Sequence, residues 1–153
     1  MGELRGGGGS SGGKGIQAFS SVAIPSNTAI SSGGLTAIGS IAATVSVSGV
    51  NDVIEISLSG IGQSNHTSGD HQLGYKVDSA AAVNAWYMSR GNQTDTTEII
   101  PILWSRRITG LSAGSHTIAL MGGGTNAWAL LGDTDSAYAD GGTVHFDVTV
   151  FKG

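Results

Sequence analysis

The residues of this chain that could do chemistry are few and scattered. Gly8, Gly13 and Lys14 fall at the spacing of a phosphate-cradling loop, but Gly15 stands where that loop needs a Ser or Thr to hold magnesium. The match is one of composition. His66, Asp70 and His71 offer two imidazoles and a carboxylate, a donor set that suits zinc. Their spacing aims both rings at one point on neither a strand nor a helix, so they read as a solvated loop. Asp133, Asp135 and Asp140 begin like a calcium loop, yet Ala137 and Tyr138 stand where that loop requires a ligand and a glycine. His116 and His145 alternate within strand patterns and read as structural. No Gly-x-Ser-x-Gly elbow is present, and no carboxylate pair stands apart from the loops. The sequence therefore predicts no catalytic residue, no metal site and no cofactor, and the chain reads as something other than an enzyme.

The remaining candidates for recognition are the aromatic residues Trp86, Tyr87, Trp104 and Trp128. Such rings stack on sugar faces, but they also fill cores and subunit interfaces. Trp104 shares a strand face with Ile100 and Ile102, which favours core or interface. Trp86 and Tyr87 are adjacent in a strand pattern and point to opposite faces, so one of the two is the candidate glycan contact.

The elements that must position these residues are strands. From Ser40 to Phe151 apolar and polar residues alternate with period two, and no apolar stripe of period 3.6 appears. Ala43, Val45 and Val47 share one face; after Gly49-Val50-Asn51-Asp52 the pattern resumes with Ile54, Ile56 and Leu58, which reads as a hairpin. Ile61 to His71 reads as a polar loop. Leu73 to Asp78 and Val83 to Ser89 are predicted strands, with a short helical turn at Ser79-Ala80-Ala81-Ala82 between them. Glu98 to Arg106 is apolar on both faces and contains Pro101, which cannot donate to a ladder, so it is predicted to lie at an edge or to carry a bulge. Ile99, Leu103 and Trp104 on this strand are the candidate subunit interface. Ser115 to Met121 is a further strand, ended by Gly122-Gly123-Gly124, and Asn126 to Leu131 follows. Thr143 to Phe151 closes the fold with Val144, Phe146, Val148 and Val150 inward. Eight or nine short strands separated by glycine turns predict an all-β fold, an antiparallel β-sandwich of jelly-roll type.

Ahead of this body, eight of the first fifteen residues are glycine. The chain divides into a Gly/Ser-rich arm over 1–20, an extended edge segment over 21–39 and the β domain over 40–153. An arm with no apolar face can order only on another surface, which makes Leu4, Arg5, Lys14, Ile16 and Phe19 its candidate anchors. Only 12% of residues are charged, against about a quarter in ordinary domains. So sparse a charge coat protects poorly against self-association and suits an exterior covered by other subunits. The net charge of −4 and the single basic doublet Arg106-Arg107 argue against nucleic acid. There is no cysteine, so neither disulfides nor thiolate metal sites hold the fold. No apolar run reaches the roughly 18 residues that would span a bilayer, and no secretory signal precedes the body, so synthesis in a cytosol without membrane insertion is expected. Asn65-His66-Thr67 and Asn92-Gln93-Thr94 accordingly read as loop sequence and not as glycan sites.

Ile108 to Leu120, ITGLSAGSHTIAL, and the closing GTVHFDVTVF resemble the jelly-roll modules of tailed-phage virion proteins, among them capsid decoration (cement) proteins and fibre domains. The turn Leu111-x-x-Gly114-x-His116-x-Ile118 before a late strand also resembles tumour-necrosis-factor-like and C1q-like trimers. The resemblance covers roughly residues 40 to 153 and assigns no catalytic residue. It implies a homotrimeric structural protein of the virion, made in the host cytoplasm and seated on the capsid surface across major capsid protein subunits. A receptor-binding or fibre-tip protein that contacts cell-surface glycan is the second reading. A non-viral C1q-like or lectin-like module is the third, disfavoured by the missing secretory signal.

Overall fold

The computed structural model describes residues 15–24, 26–66, 68–90, 98–132 and 143–153. Leu4, Arg5, Lys14, the glycines of the phosphate-loop match and the aspartates of the calcium-loop match lie outside the described residues. The strands run β1 (Ile16–Ile24), β2 (Thr28–Ile30), β3 (Gly33–Val47), β4 (Val53–Ser64), β5 (Gly69–Val77), β6 (Val83–Arg90), β7 (Glu98–Ile108), β8 (Gly114–Gly124), β9 (Trp128–Leu130) and β10 (Val144–Phe151). No helix occurs among the described residues.

Every described strand pair is antiparallel, and the strands form two sheets. The first runs β1-β10-β4-β7, with β9 and β2 continuing beside the far half of β4. That strand pairs β7 along one edge and β10 then β9 along the other. The second sheet runs β3-β8-β5-β6. Alternation decides which face of each strand is buried. Val144, Phe146, Val148 and Val150 of β10 lie against the core with Ile54, Ile56 and Leu58 of β4 and Ile100, Ile102 and Trp104 of β7. Ala43, Val45, Val47, Leu73, Tyr75, Ile118 and Leu120 complete that core from the opposite sheet. The fold is thus the antiparallel β-sandwich that the period-two pattern predicts. Among the described residues β7 pairs with β4 alone, which makes the Pro101 strand an edge strand there, as expected.

Four local expectations are corrected. β3 and β4 do not form a hairpin, because the turn between them carries the chain from one sheet to the other. Asp52 holds that turn by accepting from the Ser48 amide at 2.7 Å and the Ser48 hydroxyl at 2.8 Å. It also accepts from the Gly153 amide at 3.1 Å, and these donors keep its pKa below the usual carboxylate value. Ser79 to Ala82 is not helical: the Ala80 amide donates to Val77 O at 2.9 Å, closing a turn in which Asp78 has φ of 49°. The polar loop shrinks to residues 65–68, because β4 extends to Ser64 against β7 and β9, and β5 begins at Gly69. Finally, Gly122 to Gly124 do not end β8 but belong to it.

Gly123 explains the last correction. A Cβ there would meet Gly33 O at 2.6 Å and Gly34 O at 2.7 Å, so the missing side chain makes room for the irregular stretch of β3 between Gly33 and Thr36, which pairs with β8 at Gly124 and Gly122. β1 meanwhile spans the boundary between arm and edge segment, placing Ile16 and Phe19 in a strand paired with β10. Gly123→Ala forces backbone apart and is expected to cost about 1–3 kcal/mol in urea unfolding. Gly34→Ala meets nothing within 4 Å and is expected to cost less than about 0.5 kcal/mol.

Candidate functional site

Among the described residues, the outer face of the six-stranded sheet carries three of the most exposed large apolar side chains, Leu103, Ile16 and Phe19. Residues directly opposite one another in a ladder share a face, so the register lays this surface out in rows across the strands. Phe151 of β10 lies between Val53 and Ile16. The next row runs Arg107, Glu55, Thr149, Phe19, and the third runs Ser105, Ser57, Asp147, Ser21. Leu103, Ser59, His145 and Ala23 form the fourth, Pro101 and Ile61 the fifth, and Ile99, Gln63, Ala129 and Ala29 the last. The large apolar side chains gather at two ends of the face, with Ile16, Phe19, Val53 and Phe151 at one and Ile61, Ile99, Pro101 and Leu103 at the other, and the other positions are Ser, Thr, Ala or the polar Arg107, Glu55, Asp147, His145 and Gln63. Leu103 is 79% exposed, Ile16 65% and Phe19 62%.

The charges on this face are largely neutralised within it. Arg107 Nε donates to Glu55 Oε2 at 2.7 Å. In the serine row between the two apolar ends, Asp147 Oδ1 is occluded from solvent and has no hydrogen-bond partner among the described residues. An occluded carboxylate oxygen without a donor is costly, and a donor from outside the chain would relieve it.

Two predicted groups of residues meet on this surface. Ile16 and Phe19, read from the sequence as arm anchors, and Ile99 and Leu103, read as interface, share one face. Trp104 does not share it: an even position in β7 turns its ring into the core, where it is 6% exposed. Trp86 is likewise half-buried, stacked on Trp128 with centroids 6.1 Å apart, which leaves Tyr87, 55% exposed, as the outward member of its pair. The sequence missed Val53, Ile61 and Phe151 as parts of the same face, although their odd positions opposite the inward set carried that signal.

His66, Asp70 and His71 do not converge. Asp70 and His71 are successive residues of β5 and point to opposite faces; His71 is buried edge-on against Trp128 at 5.1 Å, while His66 is exposed. Among the described residues no group of three such side chains is placed to hold a metal ion. The basic doublet is also engaged, since Arg106 Nη2 donates to Ala85 O of β6 at 2.7 Å and ties the open edges of the two sheets together.

His116 links two turns. Its Nδ1 lies 2.8 Å from Asp78 Oδ2 and its Nε2 2.9 Å from Ser112 O. Both partners are acceptors, so only the doubly protonated ring satisfies both. Asp78 accordingly raises the His116 pKa above 6.5, while His116 and the Thr117 amide lower that of Asp78 below 3.8. The histidine contribution to stability is complete below 6.5 and is lost as pH rises through the higher folded pKa. The carboxylate contribution is complete above 3.8 and is lost as pH falls through the lower folded pKa. The destabilisation caused by His116→Gln is therefore expected to be larger at pH 5.5 than at pH 9, as read by urea unfolding of both proteins at each pH. No protein-family model matches this chain, and no curated protein matches it.

Proposed function

We propose that the chain is a structural protein of a phage virion that decorates and stabilises the capsid as a homotrimer, binding across major capsid protein subunits. The observation that carries the reading is the outer face of the six-stranded sheet, with exposed Leu103, Phe19 and Ile16 on the rows around Asp147, whose Oδ1 has no partner among the described residues. An aqueous monomer gains nothing from such a face, whereas a second copy covers the apolar ends and can bring a donor to Asp147. Closed association also removes an edge on which further chains could add. The number three rests on the resemblance to trimeric jelly rolls.

The strand order supports the jelly-roll form of the sandwich. Setting aside the three-residue strands β2 and β9, eight strands divide into β1-β10-β4-β7 and β3-β8-β5-β6, with successive strands of the eight crossing between sheets except at the β5–β6 hairpin. A jelly roll likewise distributes eight strands of two Greek keys over two sheets. The mechanism is mechanical, not catalytic: apolar area buried between copies and against the capsid adds roughly 25 cal/mol per Å², less the cost of ordering, to the cohesion of the shell. The second reading, a fibre-tip protein that contacts glycan, is favoured by the exposed ring of Tyr87.

Light scattering on the purified chain is expected to give three chain masses. Leu103→Glu removes about 1.5–3 kcal/mol of burial per copy and places a charge in the interface, so this variant is expected to elute as a folded monomer. A wild-type protein that is monomeric both in solution at micromolar concentration and on the particle would refute the trimer. Deleting residues 1–15 is expected to abolish co-sedimentation with capsids of the encoding phage while the trimer persists. Unchanged capsid affinity would reject the anchoring role of the arm, and recovery of the protein at the tail would favour the fibre-tip reading.

A further inference from the structure

On the outer face of the other sheet, at its β5–β6 edge, one aromatic ring stands among polar side chains. Tyr87 is directly opposite Gln72, and Ser89 directly opposite Asp70, so the four share a face two residues apart along each strand. Thr125, at the end of β8, adds a hydroxyl 3.5 Å from Asp70 Oδ2. Beside Gln72 the facing position of β8 is Gly123, and the Gly33–Gly34 backbone passing over it forms a raised border instead of a side chain. The result is an open ledge with a ring, an amide, a carboxylate and hydroxyls along it.

We propose that Tyr87, Gln72, Asp70 and Ser89 form a carbohydrate-binding platform on which a pyranose ring stacks against Tyr87 while its hydroxyls bond to Gln72 and Asp70. A sugar presents one face of C–H groups and a rim of hydroxyls, and this ledge presents a π face and a rim of donors and acceptors. Asp70 is engaged chiefly by the hydroxyls of Ser89, Tyr87 and Thr125, and none of the four described side chains of the ledge carries a positive charge that would select phosphate or sulfate. The hydroxyls of Ser89 and Tyr87 hold the Asp70 carboxyl below the usual range, and Asp70 in turn raises the Tyr87 phenol. The carboxylate therefore stays ionised as an acceptor and the phenol keeps its proton. Two carboxylate oxygens offer about four acceptor sites, and three hydroxyls leave one for a ligand.

The inference rests on the second, glycan-contacting reading and names its site; it stands apart from the capsid reading, because the ledge lies on the sheet opposite the proposed trimer face. Its test is an amide NMR titration of the full-length protein with the methyl glycosides of glucose, galactose, mannose and N-acetylglucosamine. At least one glycoside is expected to shift the Gln72, Tyr87 and Ser89 amides saturably. Tyr87→Ala is expected to weaken that binding about tenfold, Gln72→Ala also to weaken it, and Tyr87→Phe to retain most of it because the ring remains. Tyr87 is exposed, so the variant spectra away from β5 and β6 report whether the fold is intact. Glycosides that leave these amides unmoved, or that bind Tyr87→Ala as well as wild type, would overturn the proposal. A response confined to tetramethylammonium would overturn the sugar assignment in favour of a cation seated on the ring. Light scattering on the same samples reports the trimer separately, so failure of one reading is distinguishable from failure of the other.

Discussion

The fold depends on the burial of one strand. β10 places Val144, Phe146, Val148 and Val150 against the core without exposure, and it is hydrogen-bonded on both edges, to β1 and to β4. Its partners come from the opposite end of the described chain and from its middle. The six-stranded sheet therefore cannot complete itself until the most distant segments in sequence have met. Each such closure loses chain entropy before any contact rewards it, which makes this a slow-folding topology compared with one built of local hairpins. The same strand determines the outward face, because inward valines at even positions leave His145, Asp147 and Thr149 at odd ones.

Period-two alternation revealed which residues face inward nearly everywhere, since burial acts on each strand separately. It was silent on which strands pair. Ala43 to Val47 and Ile54 to Leu58 show the same pattern whether their strands lie side by side or face each other across a core, so the turn at Gly49 to Asp52 was legible as a turn and not as a crossing. Glycine misled for a related reason. In sequence Gly122 to Gly124 look like a breaker, but at Gly123 the absent side chain makes room for the backbone of Gly33 and Gly34, a long-range demand that no local pattern carries.

The candidate surfaces were legible by residue type and not by arrangement. The two-faced apolar character of Glu98 to Arg106 pointed correctly to an edge strand, yet an interface containing both Leu103 and Trp104 asks adjacent residues of one strand to face the same way. Only the register shows that Leu103 belongs with Ile16 and Phe19, which precede it by more than eighty residues in the sequence. The polar ledge around Tyr87 was similarly divided in the sequence between a presumed loop and a strand, because β5 begins earlier than its glycine and histidine suggest.

The pairing of β1 with β10 also governs how the molecule carries load. Eight residue pairs join these strands, and β1 enters the sheet from Gly15, whose carbonyl accepts from the Lys152 amide at 3.1 Å. Tension applied through the segment before Gly15 along the direction of β1 would strain all of those rungs together in shear. The same tension applied across the sheet would meet them one at a time and peel the strand away. A tether attached at this point is thus strong in one direction and weak in the perpendicular one, an anisotropy set by the register of a single ladder.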